Sequence, residues 1–208
     1  MGLADALIYN TDAMETLRTG SGIRKFHGSL VYITVAFSLI LTSCSQMNIQ
    51  STNSLQTVKH VDLTRYIGVW YEIARYTHRF QEGCMGSKAT YSLRDDGKLT
   101  VVNECFDGSF SGKLRSAKGK AWVVDKQSNA KLKVSFFWPF SGDYWIIDLG
   151  KDYEYAVIGH PKRKYLWILN RTPQMDEKIY KEILSRLKKQ DYDTTKLLKS
   201  PQRKIRGE

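Results

Sequence analysis

Between Tyr66 and Asn170 turn residues cut the sequence into β-prone runs so short and so closely spaced that a single antiparallel meander is the natural outcome. Eight runs stand out: Gly68 to Tyr76, Gly86 to Leu93, Lys98 to Cys105, Leu114 to Val124, Lys131 to Trp138, Asp143 to Leu149, Glu154 to Gly159 and Lys164 to Asn170. They are joined by Asp95-Asp96-Gly97, Gln127-Ser128-Asn129, Ser141-Gly142 and Pro161-Lys162-Arg163. Connections this short pair sequence neighbours antiparallel. An up-and-down meander of eight strands removes its edges by closing into a barrel, so an all-β fold is expected.

Alternation assigns the two faces. Leu132, Val134, Phe136 and Trp138 fall on one side of their run, with Lys131, Lys133 and Ser135 on the other. Trp167, Leu169 and Arg171 are in phase, as are Gly119, Ala121 and Val123. An eight-stranded barrel has room inside for side chains or for one small ligand. Small residues on some inner faces and aromatics on others favour the ligand. Helical periodicity appears only afterwards, where Asp176 and Glu177 precede Ile179, Ile183, Leu184 and Leu187 at spacings of three and four. That amphipathic helix is expected to pack outside the barrel.

Ahead of the meander, an uncharged run from Leu30 to Thr42 follows Arg24, Lys25 and His27, the basic-then-apolar order of a secretory signal. It is shorter than the roughly 20 apolar residues that span a bilayer. It ends in Leu41-Thr42-Ser43-Cys44, which resembles the lipobox of bacterial lipoproteins. The resemblance implies cleavage after Ser43 and lipidation of Cys44, with residues 1–43 as signal peptide and Met1 or Met14 as the start. Residues 44–60 have the polar composition of a tether, 61–198 form the barrel domain, and 199–208 are a basic tail. By the same resemblance, Ser45 after the cysteine implies sorting to the outer membrane, with the domain expected to face the periplasm.

The net charge of +11 belongs to the segment after Ser43, because Arg18, Arg24 and Lys25 in the leader are balanced by Asp5, Asp12 and Glu15. In a secreted chain that excess points to an anionic envelope surface, and nucleic acid is not expected as a partner. The region after Lys178 is thick with Lys and Arg and reads as a solvated helix face followed by a frayed end.

Gly68-Val69-Trp70 at the start of the first run resembles the Gly-x-Trp signature of lipocalins. Asp152-Tyr153 before Tyr155-Ala156-Val157-Ile158, and Leu166-Trp167-Ile168-Leu169-Asn170-Arg171-Thr172-Pro173, are similar to the second and third motifs of that family. The stretches between them, Ala89 to Gly97 and Lys131 to Phe137, are similar to the bacterial lipocalin branch that also includes apolipoprotein D, and with the lipobox the chain resembles its outer-membrane lipoproteins. The resemblance implies a barrel closed at one end by Gly68, Trp70 and Arg171, with the arginine over the indole ring. It also implies a small hydrophobic ligand, fatty acid or lysophospholipid, carried or stored in the cell envelope. Alternation and the resemblance together make Tyr91, Asn103, Phe136, Trp138, Trp145 and Trp167 the candidate ligand contacts. No cofactor, metal or catalytic residue is implied, and bacterial relatives make a homodimer conceivable.

With Cys44 lipidated, Cys84 and Cys105 are an even pair in an oxidising compartment, and a disulfide is expected. A two-residue Asp96-Gly97 turn would place Cys84 beyond Cys105, so the bridge needs a bulge or a longer connection. Two other functions compete with carriage. A lipid-modifying enzyme could use Cys105, which shares strand parity with Asn103, although His27, His60, His78 and His160 are scattered along the chain. An envelope interaction protein could act through the basic surface alone.

Overall fold

The computed structural model describes residues 54–204. The expected signal peptide, Cys44, the first part of the expected tether and the last four residues lie outside the described residues. A short helix α1 (Leu63–Tyr66) leads into strands β1 (Gly68–Tyr76), β2 (Cys84–Leu93), β3 (Leu99–Asp107), β4 (Leu114–Val123), β5 (Lys131–Phe137), β6 (Phe140–Leu149), β7 (Tyr155–Gly159) and β8 (Leu166–Asn170). Helix α2 (Glu177–Lys189) and strand β9 (Leu197–Lys199) follow. Consecutive strands pair antiparallel from β1 to β8, and β8 pairs back on β1, so the meander closes into the expected barrel.

The chain forms two apolar clusters, one inside the barrel and one between its outer wall and α2. Inside are Trp70, Leu99, Val101, Ala121, Leu132, Ile146, Ala156 and Ile158. Outside, Ile183, Leu187 and Tyr180 of α2 pack on Ala74, Ile147, Val157, Leu166 and Ile168. Asp176 caps α2 by accepting from the amides of Lys178 and Ile179 at 2.9 and 3.0 Å, which satisfies donors that a helix start leaves unpaired.

The α1 end of the barrel is closed; the opposite end, carrying the β1–β2, β3–β4, β5–β6 and β7–β8 connections, is the mouth. The ladders shift register at four places, and two of these bulges shape the site. One in β1, between Glu72 and Ala74, shifts the alternation so that Glu72 and Arg75 both face inward. The other lies in β2 between Met85 and Lys88, where Gly86 takes a φ of +64°. The β2–β3 connection also runs over residues 94–98, longer than a two-residue turn. Together these put Cys84 opposite Asp107, close enough to bond Cys105 with a Cα separation of 5.4 Å.

Two stretches differ from their sequence expectation. The tether ends sooner: Leu55 is buried against the outer cluster and the Val58 amide donates to Ile146 O. Nor is the chain beyond α2 frayed throughout, because β9 pairs with β1 and residues 200–202 fill a seam in the wall. The ladder between β1 and β2 stops at Tyr71 and Lys88. Above it the Ser200 amide donates to Ile73 O, Pro201 O accepts from the Gly86 amide, and the Gln202 side chain donates to Glu72 O and Ser87 O.

Candidate ligand-binding site

The interior has three tiers. At the bottom Trp70 is fully buried, and its indole N–H donates to Tyr66 O at 2.8 Å. The Arg171 guanidinium lies 3.7 Å from the ring centroid and donates to the carbonyls of Ile67, Val69, Arg65 and Tyr153. One cation thus satisfies four carbonyls of the closing segment while stacking on the ring that seals it. Gly68 has a φ of +99°, and a Cβ there would stand 3.2 Å from Arg171 Nη1, so the signature glycine serves both backbone and contact.

Above this plug the hydroxyls of Tyr66, Tyr144 and Tyr91 form a chain, 2.7 and 2.8 Å between neighbours. Burial raises all three pKa values, that of Tyr91 to about 12. The groups are therefore neutral, and three O–H donors joined by two bonds leave one proton to offer.

The middle tier is lined by small residues. Asn103 on β3 faces Ala89 and Ala117, in phase with buried Val101 and Leu99. Gly119 lets the Phe136 ring lie across β4, for a Cβ there would be 2.8 Å from Phe136 Cδ1. Asn103, Ala117, Gly119 and Phe136 face inward yet keep partial solvent exposure, whereas Leu99, Val101 and Leu132 below them are buried. An inward side chain reached by solvent marks an open hollow over a filled base.

The upper tier is polar. Glu72 and Arg75, each only 4 % exposed, pair at 2.7 Å. The other Glu72 oxygen accepts from Gln81 Nε2 at 2.7 Å, and Ser200 Oγ donates to the first. Gln81 belongs to the β1–β2 loop, and its side-chain oxygen also accepts from Trp167 Nε1 at 3.0 Å. Arg115, from β4, donates to Phe80 O and Glu82 O of the same loop. His78 stacks on Phe80 at 3.8 Å, with both ring nitrogens shut from solvent. Burial, helped by the Arg75 charge, pushes its pKa down to about 3. Arg75 also donates to Gln81 O at 3.1 Å, so the loop is tied down over one side of the mouth by four inward-facing residues of the wall, Glu72, Arg75, Arg115 and Trp167.

Of the six expected ligand contacts, Tyr91, Asn103, Phe136 and Trp167 face inward. Trp138 does not: β5 ends at Phe137, and Trp138 sits 80 % exposed in the β5–β6 turn at the mouth. Trp145 is also misassigned, for it lies on the outer wall with Lys131 Nζ 4.6 Å over its ring. Its neighbour Tyr144 is the inward residue. Strand β6 carries apolar groups on both faces because α2 covers its outside, so alternation alone could not tell the faces apart. Glu72 and Arg75 were missed as well: Glu72 is in phase with Trp70 but charged, and the β1 bulge carries Arg75 out of that period onto the same face. Cys105 is bonded to Cys84, so its sulfur is not available as a nucleophile.

Residues 61–202 match the family model described as lipocalin-like domain. The chain is 39 % identical over 165 residues to the outer membrane lipoprotein Blc of Escherichia coli strain K12, covering 79 % of this chain and 90 % of that protein. It is 41 % identical over 157 residues to temperature-induced lipocalin-1 of Arabidopsis thaliana, covering 71 % and 83 %. Insecticyanin from the tobacco hornworm Manduca sexta superposes with a TM-score of 0.58 at 18 % identity, over 72 % of this chain and 85 % of that one. With a closed barrel, the arginine-capped tryptophan and these relatives in agreement, the chain belongs to the lipocalin family.

Proposed function

We propose that this protein binds and carries or stores a fatty acid or lysophospholipid at the bacterial outer membrane, tethered there by lipidated Cys44 and facing the periplasm. The observation that carries the reading is the gradient along the barrel axis, from a buried, filled base through a small-residue hollow to a polar mouth. An acyl chain would enter tail first, leaving its head group among the upper polar side chains. Burying about 0.8 kcal/mol per methylene, a chain of a dozen carbons contributes on the order of 10 kcal/mol before ordering and association costs. Micromolar affinity needs about 8 kcal/mol net. The disulfide argues against the cysteine-enzyme alternative, and the similarity to proteins named outer membrane lipoproteins supports the location.

Native mass spectrometry of the protein extracted from membranes tests both halves at once. An acyl ligand should accompany the barrel, and the Cys44 peptide should carry the added lipid mass. In a companion assay, Phe136→Asp should lower uptake of anthroyloxy-labelled palmitic acid at least tenfold, and undiminished uptake would contradict the assignment of the hollow.

A further inference from the structure

Three features meet at one end of the barrel. The first is apolar: Phe137 is 50 % and Trp138 80 % exposed at the β5–β6 tip, Phe140 stacks on Phe137 at 6.3 Å, and Leu114 is exposed at the start of β4. An exposed tryptophan at a loop tip is costly in water and suits the boundary between lipid head groups and acyl chains. Among the described residues, the exposed large apolar side chains at the closed end are aliphatic: Val69, Leu93 and Val124.

The second is charge. The four mouth loops carry Arg79, Lys113, Lys162, Arg163 and Lys164 against one acid, Glu82. The three turns at the closed end carry four basic residues against five acidic ones. The barrel is thus polarised, with its positive pole at the mouth, as attraction to an anionic surface requires.

The third is where the chain enters. The Gln56 amide donates to the side chain of Gln190, whose carbonyl accepts from Arg163 in the β7–β8 turn at the mouth. From there the chain descends the outer wall through Val58 to Val61, which donates to Ser128 O at the closed end. Ser54 therefore stands at the mouth, and about ten residues separate it from Cys44, a reach of at most about 35 Å. Strands of nine or ten residues are about 30 Å long, so with the closed end against the membrane the tether would be drawn taut along the whole barrel.

We propose that the mouth docks on the surface of a bilayer, with the Phe137–Phe140 hairpin in the interface and the basic loops on anionic phosphate head groups. Ligand then passes between membrane and hollow without crossing water. The tether argument rests on the lipidation of Cys44 proposed above; the aromatic tip and the charge polarity stand without it.

The test uses the purified full-length mature protein on vesicles of phosphatidylethanolamine and phosphatidylglycerol containing chain-brominated lipid, which quenches tryptophan that enters the interface. Trp138→Phe should remove at least half of the quenching, and Trp122→Phe, near the closed end, should leave it unchanged. The proposal is overturned if Trp138→Phe has no effect, if Trp122→Phe removes the quenching, or if Trp138 is already shielded from acrylamide without vesicles, which would mean that a second copy covers it. Uptake of the labelled palmitic acid from buffer is measured on the same samples. Uptake with Trp138 left in water sinks the docking alone, while lipid-quenched Trp138 without uptake upholds the docking and sinks the carrier reading.

Discussion

At the residue scale, the buried Glu72–Arg75 pair is the most exacting element of the interior. Two charges removed from water persist only because Gln81 and Ser200 complete the coordination of the carboxylate. Removing one partner strands the other, so Arg75→Met should destabilise the protein by about 3–5 kcal/mol. The double replacement Glu72→Leu/Arg75→Met should recover most of that loss in urea titrations, and a double variant no better than the single one would contradict the pairing. His78 makes a prediction in pH. Its pKa of about 3 lies below the ordinary 6.5, so the unfolded chain takes the proton first and stability falls as pH drops below about 6.5. His78→Phe, which preserves the stack on Phe80, should flatten the change in urea midpoint between pH 7 and 5. The Gly-x-Trp glycine and tryptophan and their arginine were legible from the motif, because each has a shape no other residue reproduces. The inward pair of β1 was not, because the bulge that turns Arg75 to the side of Glu72 leaves no mark in the sequence.

At the element scale, the strand limits followed from turn chemistry to within a few residues, since each strand is bounded by residues that cannot continue a ladder. Strand β6 was harder, because a strand apolar on both faces has no alternation to read, and Tyr144 and Trp145 exchanged places. The Cys84–Cys105 bond closes a loop of 21 residues between neighbouring strands. Removing it, as Cys84→Ala/Cys105→Ala, should lower stability by about 3 kcal/mol. Gly86→Ala, at a φ of +64° inside the bulge that aligns the bond, should be destabilising even with the disulfide intact. The seam segment gives a further expectation. Deleting residues from Ser200 onward should speed amide hydrogen exchange at Gly86, whose acceptor is Pro201 O, while exchange at the base, around Trp70 and Ala89, stays slow.

At the scale of the whole molecule, the barrel divides its labour along its axis. The base is packed and stabilises, the hollow is lined by small residues and admits, and the mouth is polar inside and aromatic at its rim. Ala117→Phe should therefore shorten the longest fatty acid taken up while changing the unfolding midpoint little, because the new ring occupies space rather than displacing a neighbour. The sequence alone determined the closed antiparallel meander and the outer helix, since hydrophobic period and turn residues are local properties of the chain, and the sealed end followed from the family resemblance carried by Gly68, Trp70 and Arg171. The tertiary structure alone decided which of two apolar faces of β6 looks inward, that Trp138 belongs to the rim, and that the C-terminal segment completes the wall. Those outcomes depend on bulges and on what packs against each face, interactions between residues far apart in sequence that no local pattern encodes.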